Sequence, residues 1–162
     1  MSRKNKKVKV LHDRELAIWM EYLTTLQDTR ANRRFKVICD TLLSSGLRIN
    51  ELLALTKNDL NFLTSEINVD KTLVWKKANK KLGTKGKVIC KKTPKTDAGN
   101  RSVPVPKEIL MGLESVHREM NTYFEKHNLP LSILIFTTIY GNYMTDRNER
   151  ATLKKRLAEA GL

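Results

Sequence analysis

Two clusters of residues in this sequence could act on a charged substrate. The first is Ser45-Gly46-Leu47-Arg48-Ile49-Asn50-Glu51-Leu52-Leu53-Ala54-Leu55, in which a helix is expected to start beside Arg48. Arg48 and Glu51 are three apart, so on a helix they share one face and can pair. An arginine fixed beside helix N–H groups makes a phosphate site: a permanent forked cation adds to the partial positive charge of the helix end. The same spacing also fits an ordinary exposed ion pair, which is common and weak. The second cluster is Lys91-Lys92-Thr93-Pro94-Lys95-Thr96-Asp97-Ala98-Gly99-Asn100-Arg101, a basic turn between two expected strands. Its lysines can follow a DNA backbone, and one held at a reacting phosphate can protonate a leaving oxygen. It equally fits a solvated hairpin whose lysines keep its edge from pairing.

Charge points the same way. The 162 residues hold 31 Lys and Arg against 17 Asp and Glu, a net charge of +14. Residues 1–9 carry Arg3, Lys4, Lys6, Lys7 and Lys9 and no acid, and residues 71–96 carry ten lysines and no acid. All of the excess lies in these two stretches, which favours a polyanionic partner. Other chemistries lack their residues. His12, His117 and His127 have no metal-ligand spacing, and Cys39 and Cys90 form neither a CxxC nor a disulfide framework, which fits a reduced cytoplasm. There is no Gly-rich phosphate loop and no GxSxG. The carboxylates are scattered, mostly on expected helix surfaces, which does not suggest a two-metal nuclease. No metal or cofactor is therefore expected. The longest apolar stretch, 131–139, is far short of the ~20 residues a membrane span needs, and a membrane-surface role lacks a basic helix with an exposed apolar face, so no membrane partner is expected.

The elements that must position these clusters are legible as hydrophobic periodicity. Residues 1–10 form a basic arm and 11–162 one domain. After Asp13, an expected cap, Leu16, Trp19, Met20, Leu23 and Leu26 recur at helical spacing. A second helix is expected over 31–44, with Phe35, Ile38, Leu42 and Leu43 inward, stopped by Gly46. A short third runs over 50–56, capped by Asn50 or a neighbour. Ile67, Val69 and residues 73–75, then 87–90, then 101–105 suggest three short antiparallel strands. Pro106 opens a long helix with Ile109, Leu113, Val116, Met120 and Tyr123 or Phe124 on one stripe. Residues 133–136 form a short buried segment. Thr145 or Asp146 caps a last helix that runs to Ala160, with Gly161 as its stop. The fold class is α+β: a mainly helical domain with a small three-stranded antiparallel sheet.

Together the two clusters resemble the signatures of the tyrosine recombinases, or phage-type integrases. Gly46-Leu47-Arg48-Ile49-Asn50-Glu51-Leu52-Leu53-Ala54-Leu55 and the following Asp59-Leu60 resemble the first signature. Pro94-Lys95-Thr96 with Arg101-Ser102-Val103-Pro104-Val105 resembles the second. The resemblance implies site-specific DNA recombination or integration. Arg48 would bind the scissile phosphate, Glu51 would support the site, and Lys95 would be the general acid. DNA would lie along Lys76, Lys77, Lys91, Lys92, Lys95 and Arg101, with part of this set merely solvated. The partner would be double-stranded DNA, bound by the full-length protein as a tetramer.

The family's His-x-x-Arg motif and its nucleophilic tyrosine have no match in these residues. His12, His117 and His127 are each followed at the third position by another residue type, and Tyr22, Tyr123, Tyr140 and Tyr143 all precede the expected place. The expectation is thus a partial catalytic domain, shortened at its C-terminal side, monomeric, and able to bind DNA without cutting it. Leu42, Leu52 or Ile133 would face a pocket left by the missing helices. The alternative is a non-enzymatic basic module for DNA or RNA, in which the Arg48–Glu51 pair is only structural.

Overall fold

The computed structural model describes residues 10–78, 85–92 and 100–162. The basic arm at 1–9 and the turns at 79–84 and 93–99, Lys95 among them, lie outside the described residues. Among the described residues three helices come first, then five short strands, then two helices: α1 (Asp13–Thr25), α2 (Arg30–Ser45), α3 (Ile49–Leu52), a 3-10 turn (Lys57–Asp59), β1 (Leu60–Asn61), β2 (Glu66–Val69), β3 (Lys71–Lys76), β4 (Lys87–Lys92), β5 (Arg101–Pro104), α4 (Lys107–Lys126) and α5 (Asp146–Glu159).

Local chemistry explains most helix ends. The Glu15 carboxylate accepts the backbone N–H of His12 at 3.0 Å, so α1 is capped at His12, one residue before the expected Asp13. Thr29 Oγ1 accepts from the Asn32 N–H at 3.2 Å and starts α2. Gly46 closes that helix at φ 64°, where its N–H reaches the Leu42 carbonyl at 3.1 Å. Thr145 Oγ1 caps α5 as expected.

The third helix differs from expectation. It is a single turn, capped at Arg48 and not at Asn50. Long-range pairing ends it: the Ile135 N–H donates to the Leu55 carbonyl at 3.0 Å, and the Lys57 N–H donates to the Ile133 carbonyl at 2.9 Å. The backbone after Leu53 is thus engaged by the 133–135 segment and cannot continue a helical ladder. The sheet is also divided. β2 pairs antiparallel with both β1 and β5, giving a three-stranded sheet in the order β1-β2-β5. β3 and β4 form a separate two-stranded ladder from Lys71↔Lys92 to Lys76↔Lys87. The chain passes from one ladder to the other at Asp70, between Val69 and Lys71.

The main core centres on α3. Leu52, Leu53, Ala54 and Leu55 are all fully buried, together with Ile67 of β2, Leu110 and Leu113 of α4, and Ile135 and Phe136. A second cluster joins Trp19 and Leu23 of α1 to Phe35 and Cys39 of α2, with Leu153 and Leu157 of α5 packed against it. Three expected core residues are exposed: Met20, Leu43 and Ile133. Leu43 is turned about 100° round its helix from Leu42. Ile133 offers its carbonyl to Lys57 and leaves its side chain outside. Leu52, expected beside a vacant pocket, is fully buried, while Leu42 is half-buried.

Candidate nucleic-acid interface

The core run at 52–55 fixes the backbone of α3, and Glu51 projects from that turn with only 3% of its side chain exposed. Its carboxylate accepts from four N–H donors. Oε2 takes the backbone N–H of Arg48 and Nη2 of Arg101, each at 2.9 Å. Oε1 takes Nη1 of Arg48 at 3.1 Å and Nη1 of Arg101 at 3.3 Å. Burial raises the Glu51 carboxyl, but the hydrogen bond from Arg101, the Arg48 N–H and the two nearby cations outweigh it and hold the group below its ordinary value. The Arg101 guanidinium is raised by its hydrogen bond to the same carboxylate.

The two arginines are placed differently. Arg101 is 30% exposed and Arg48 is 81% exposed. Glu51 therefore holds Arg101 inward and Arg48 by its inner edge, and most of the Arg48 guanidinium faces solvent. Two cations on one anion leave the cluster with net positive charge. The expected phosphate attraction from a helix end is weaker than supposed, because α3 is one turn long. The guanidinium forks themselves carry the field.

Lys76 ends β3, Lys77 follows it, and Lys91 and Lys92 end β4, all four exposed. Lys95 lies outside the described residues. Lys71 belongs to the same basic stretch but is turned inward: it donates to Asp59 at 2.6 Å and to Asp70 at 2.9 Å with 17% of its side chain exposed. Burial lowers Lys71, but these two hydrogen bonds outweigh it and raise its pKa. It is therefore no part of an outward basic surface. α3 and the β3–β4 ladder border one cleft of about 500 Å³, lined by Asn50, Leu73, Trp75, Val88 and residues 144–148.

Two features escaped sequence reasoning. Arg101 is legible as part of the second signature and of the expected DNA-binding set, but nothing local announces that it reaches a carboxylate fifty positions away. The network of Thr56, Asp59 and Lys71 did leave a signal. Thr56-Lys57-Asn58-Asp59 has capping-box spacing, and Asp59 accepts both the N–H and the hydroxyl of Thr56, at 2.6 and 2.8 Å. Other reactive side chains are occupied elsewhere. Tyr22 bonds to Glu159 and Arg156, Tyr143 sits beside Cys90, and Arg30 lies over the Tyr123 ring. Burial pushes the Cys39 thiol up to about 12 and also raises Cys90, so neither is a ready nucleophile. Among the described residues, no group of three or more His, Cys, Asp or Glu is placed to hold a metal ion, and no helix is long and apolar enough to cross a membrane.

No protein-family model matches this sequence. A tyrosine recombinase XerC-like protein of Caldanaerobacter subterraneus subsp. tengcongensis is 28% identical over 152 residues, which cover 88% of this chain and 38% of the relative. The Tn1549 transposon integrase in complex with transposon right end DNA has a TM-score of 0.63 at 21% identity, covering 96% of this chain and 46% of the integrase. XerA recombinase has a TM-score of 0.60 at 18% identity, covering 97% and 45%. XerH site-specific recombinase bound to palindromic difH substrate has a TM-score of 0.56 at 19% identity, covering 98% and 38%. The fold is thus the one seen in tyrosine recombinases, and the chain spans less than half the length of each of these proteins. In sequence the chain is similar to the XerC-like recombinase, and in fold it is similar to the integrase and the two Xer recombinases.

Proposed function

We propose that this chain supplies the first part of a tyrosine recombinase active site and binds double-stranded DNA. The observation that carries this reading is the asymmetric clasp: a buried Glu51 fixes the backbone and inner edge of Arg48, while the rest of that guanidinium is presented to solvent. In this role Arg48 receives the non-bridging oxygens of a scissile phosphate and Glu51 holds Arg48 in place. Arg101 acts through Glu51 as a positioning residue. Lys95 donates the proton to the leaving 5′ oxygen. Lys76, Lys77, Lys91 and Lys92 follow the backbone away from the reacting phosphate.

The reaction needs these residue types. A tyrosine hydroxyl attacks a DNA phosphodiester, the P–O5′ bond breaks, and a 3′-phosphotyrosyl link and a 5′-hydroxyl result. A 5′-hydroxyl of the partner strand then attacks the same phosphorus and releases the tyrosine. The bond energy stays in the covalent link, so no nucleotide cofactor is needed. Charge on the pentacoordinate phosphate is met by fixed donors, each worth about 3 to 4 kcal/mol. The second arginine, the histidine and the tyrosine nucleophile are not recognisable in these 162 residues. By themselves these residues bind DNA as a monomer and form no covalent link, whereas the complete recombinase works as a tetramer on DNA.

The test is duplex binding by fluorescence anisotropy across a salt series, with Arg48→Ala and Lys95→Ala beside the parent chain. A steep salt dependence is expected, with a log–log slope of about −0.9 per contacted phosphate, and both variants are expected to bind more weakly. A nicked suicide duplex is expected to give no covalent adduct. Absence of binding at low salt, or an adduct that survives denaturation, would overturn this reading.

A further inference from the structure

The chain has two tryptophans in opposite situations. Trp19 is 3% exposed in the α1–α2 cluster, while Trp75, near the end of β3, is 63% exposed. An indole that open to water is unusual, because aromatic side chains normally bury most of their surface. The ladder explains how the ring is held. Trp75 stands opposite Val88, and its indole lies against Gly86 so closely that a Cβ there would sit 2.6 Å from Cζ2 and 3.1 Å from Cε2. One side of the ring is thus braced by backbone, and the rest projects beyond the core over the 500 Å³ cleft that Asn50 and residues 144–148 also line.

The surroundings say what kind of partner fits. Lys76 faces Lys87 directly across the ladder, and Lys77, Lys91 and Lys92 are exposed at its ends. Like charges so placed destabilise a strand pair. No acid lies between residues 71 and 96 in the sequence. Edge protection accounts for lysines but not for an exposed indole beside them. A braced aromatic surface within a cationic ladder is the combination that holds an unpaired nucleic-acid strand, with phosphates on the lysines and a base on the ring.

We propose that Trp75 is a stacking site for an unpaired base, so that the β3–β4 ladder grips locally opened DNA better than perfect duplex. This rests on the DNA-binding reading above and adds to it a residue and a substrate preference. Binding of the 162-residue chain is measured on two labelled DNAs of one sequence, a perfect duplex and the same duplex with a short central bubble. Variants Trp75→Ala, Trp75→Phe and Lys76→Gln/Lys87→Gln are compared with the parent. The expected result is tighter binding to the bubble. Trp75→Ala loses about tenfold on the bubble with an unchanged salt slope, and Trp75→Phe recovers most of that loss. The double lysine variant flattens the salt slope by about 0.9 for each phosphate lost. Bubble DNA is also expected to quench the parent's tryptophan emission and not that of Trp75→Phe, whose remaining indole is Trp19.

Equal affinity of parent and Trp75→Ala for the bubble, with no quenching, would overturn the stacking role and leave DNA binding intact. Self-association of the parent that Trp75→Ala abolishes would also overturn it, and would assign the ring to a protein contact. Failure of the parent to bind either DNA at low salt would overturn both readings together.

Discussion

Replacing Glu51 with alanine is expected to be the most destabilising change in the Arg48–Glu51–Arg101 cluster, and the three residues are expected to differ in a set order. Glu51 is almost fully buried and accepts four N–H donors. Its loss leaves two cations side by side, with Arg101 only 30% exposed, so breaking the pair from this side costs about 3 to 5 kcal/mol. Arg101→Ala removes two of the donors, but Glu51 keeps the Arg48 N–H and guanidinium, and the cost falls to about 2 to 3 kcal/mol. Arg48→Ala removes an 81% exposed side chain and leaves the backbone N–H in place, so the cost is about 0 to 1 kcal/mol. The double variant Arg48→Ala/Arg101→Ala strands a buried carboxylate and is expected to cost more than the sum of the singles, by about 0.5 to 3 kcal/mol. Urea unfolding followed by far-ultraviolet circular dichroism gives all four values. Arg48→Ala as costly as Arg101→Ala, or a strictly additive double variant, would refute this account of the clasp.

Three further outcomes follow from the same geometry. The depressed Glu51 carboxyl contributes stability that is complete above its unfolded value of about 4.3 and is lost as pH falls through its lower folded value. Burial raises Asp40 and Glu149, which act in the opposite sense, so the informative quantity is the difference between parent and Glu51→Gln in acid urea titrations, expected to shrink below about pH 4. Lys71→Met leaves Asp59, 7% exposed, without its 2.6 Å partner and is expected to cost about 2 to 4 kcal/mol in thermal or urea unfolding while leaving DNA affinity nearly unchanged. Gly46→Ala meets no neighbouring atom within 4 Å, so its cost is backbone strain alone at φ 64°, about 1 to 2 kcal/mol by the same measurement.

Which parts of this were legible in the residues follows from the range of the interactions. The helix stops at Gly46 and Gly161, the Thr145 cap, and the strands around Ile67, Leu73, residues 87–90 and 101–104 are set by neighbours within a few positions, and patterns in the sequence report them. The Arg48–Glu51 pair is likewise local. What spacing does not report is pairing across the chain. The 133–135 segment shortens α3, β5 chooses β2 over β4, and Arg101 finds Glu51 across fifty residues. Lysine type alone also misleads: Lys71 and Lys76 read alike in the sequence, and among the described residues only the first pairs with carboxylates.

The position of Arg48 at the head of the most deeply buried run has a consequence for how the site is lost. Leu52 and Leu53 lie within five residues of it and are fully shielded. Amides in such a segment exchange with deuterium only when the whole domain opens, whereas those at frayed ends exchange through small local fluctuations. The backbone that carries Arg48 therefore has no private way of coming loose, and its lifetime in place is that of the folded state, while the exposed side chain stays free to change rotamer. A destabilising change anywhere in the core would lower the fraction of molecules carrying a competent site without altering the affinity of those that do. Heat or denaturant would then remove sites one whole molecule at a time, and stoichiometric titration with DNA well above the Kd, not the apparent Kd, would record the loss.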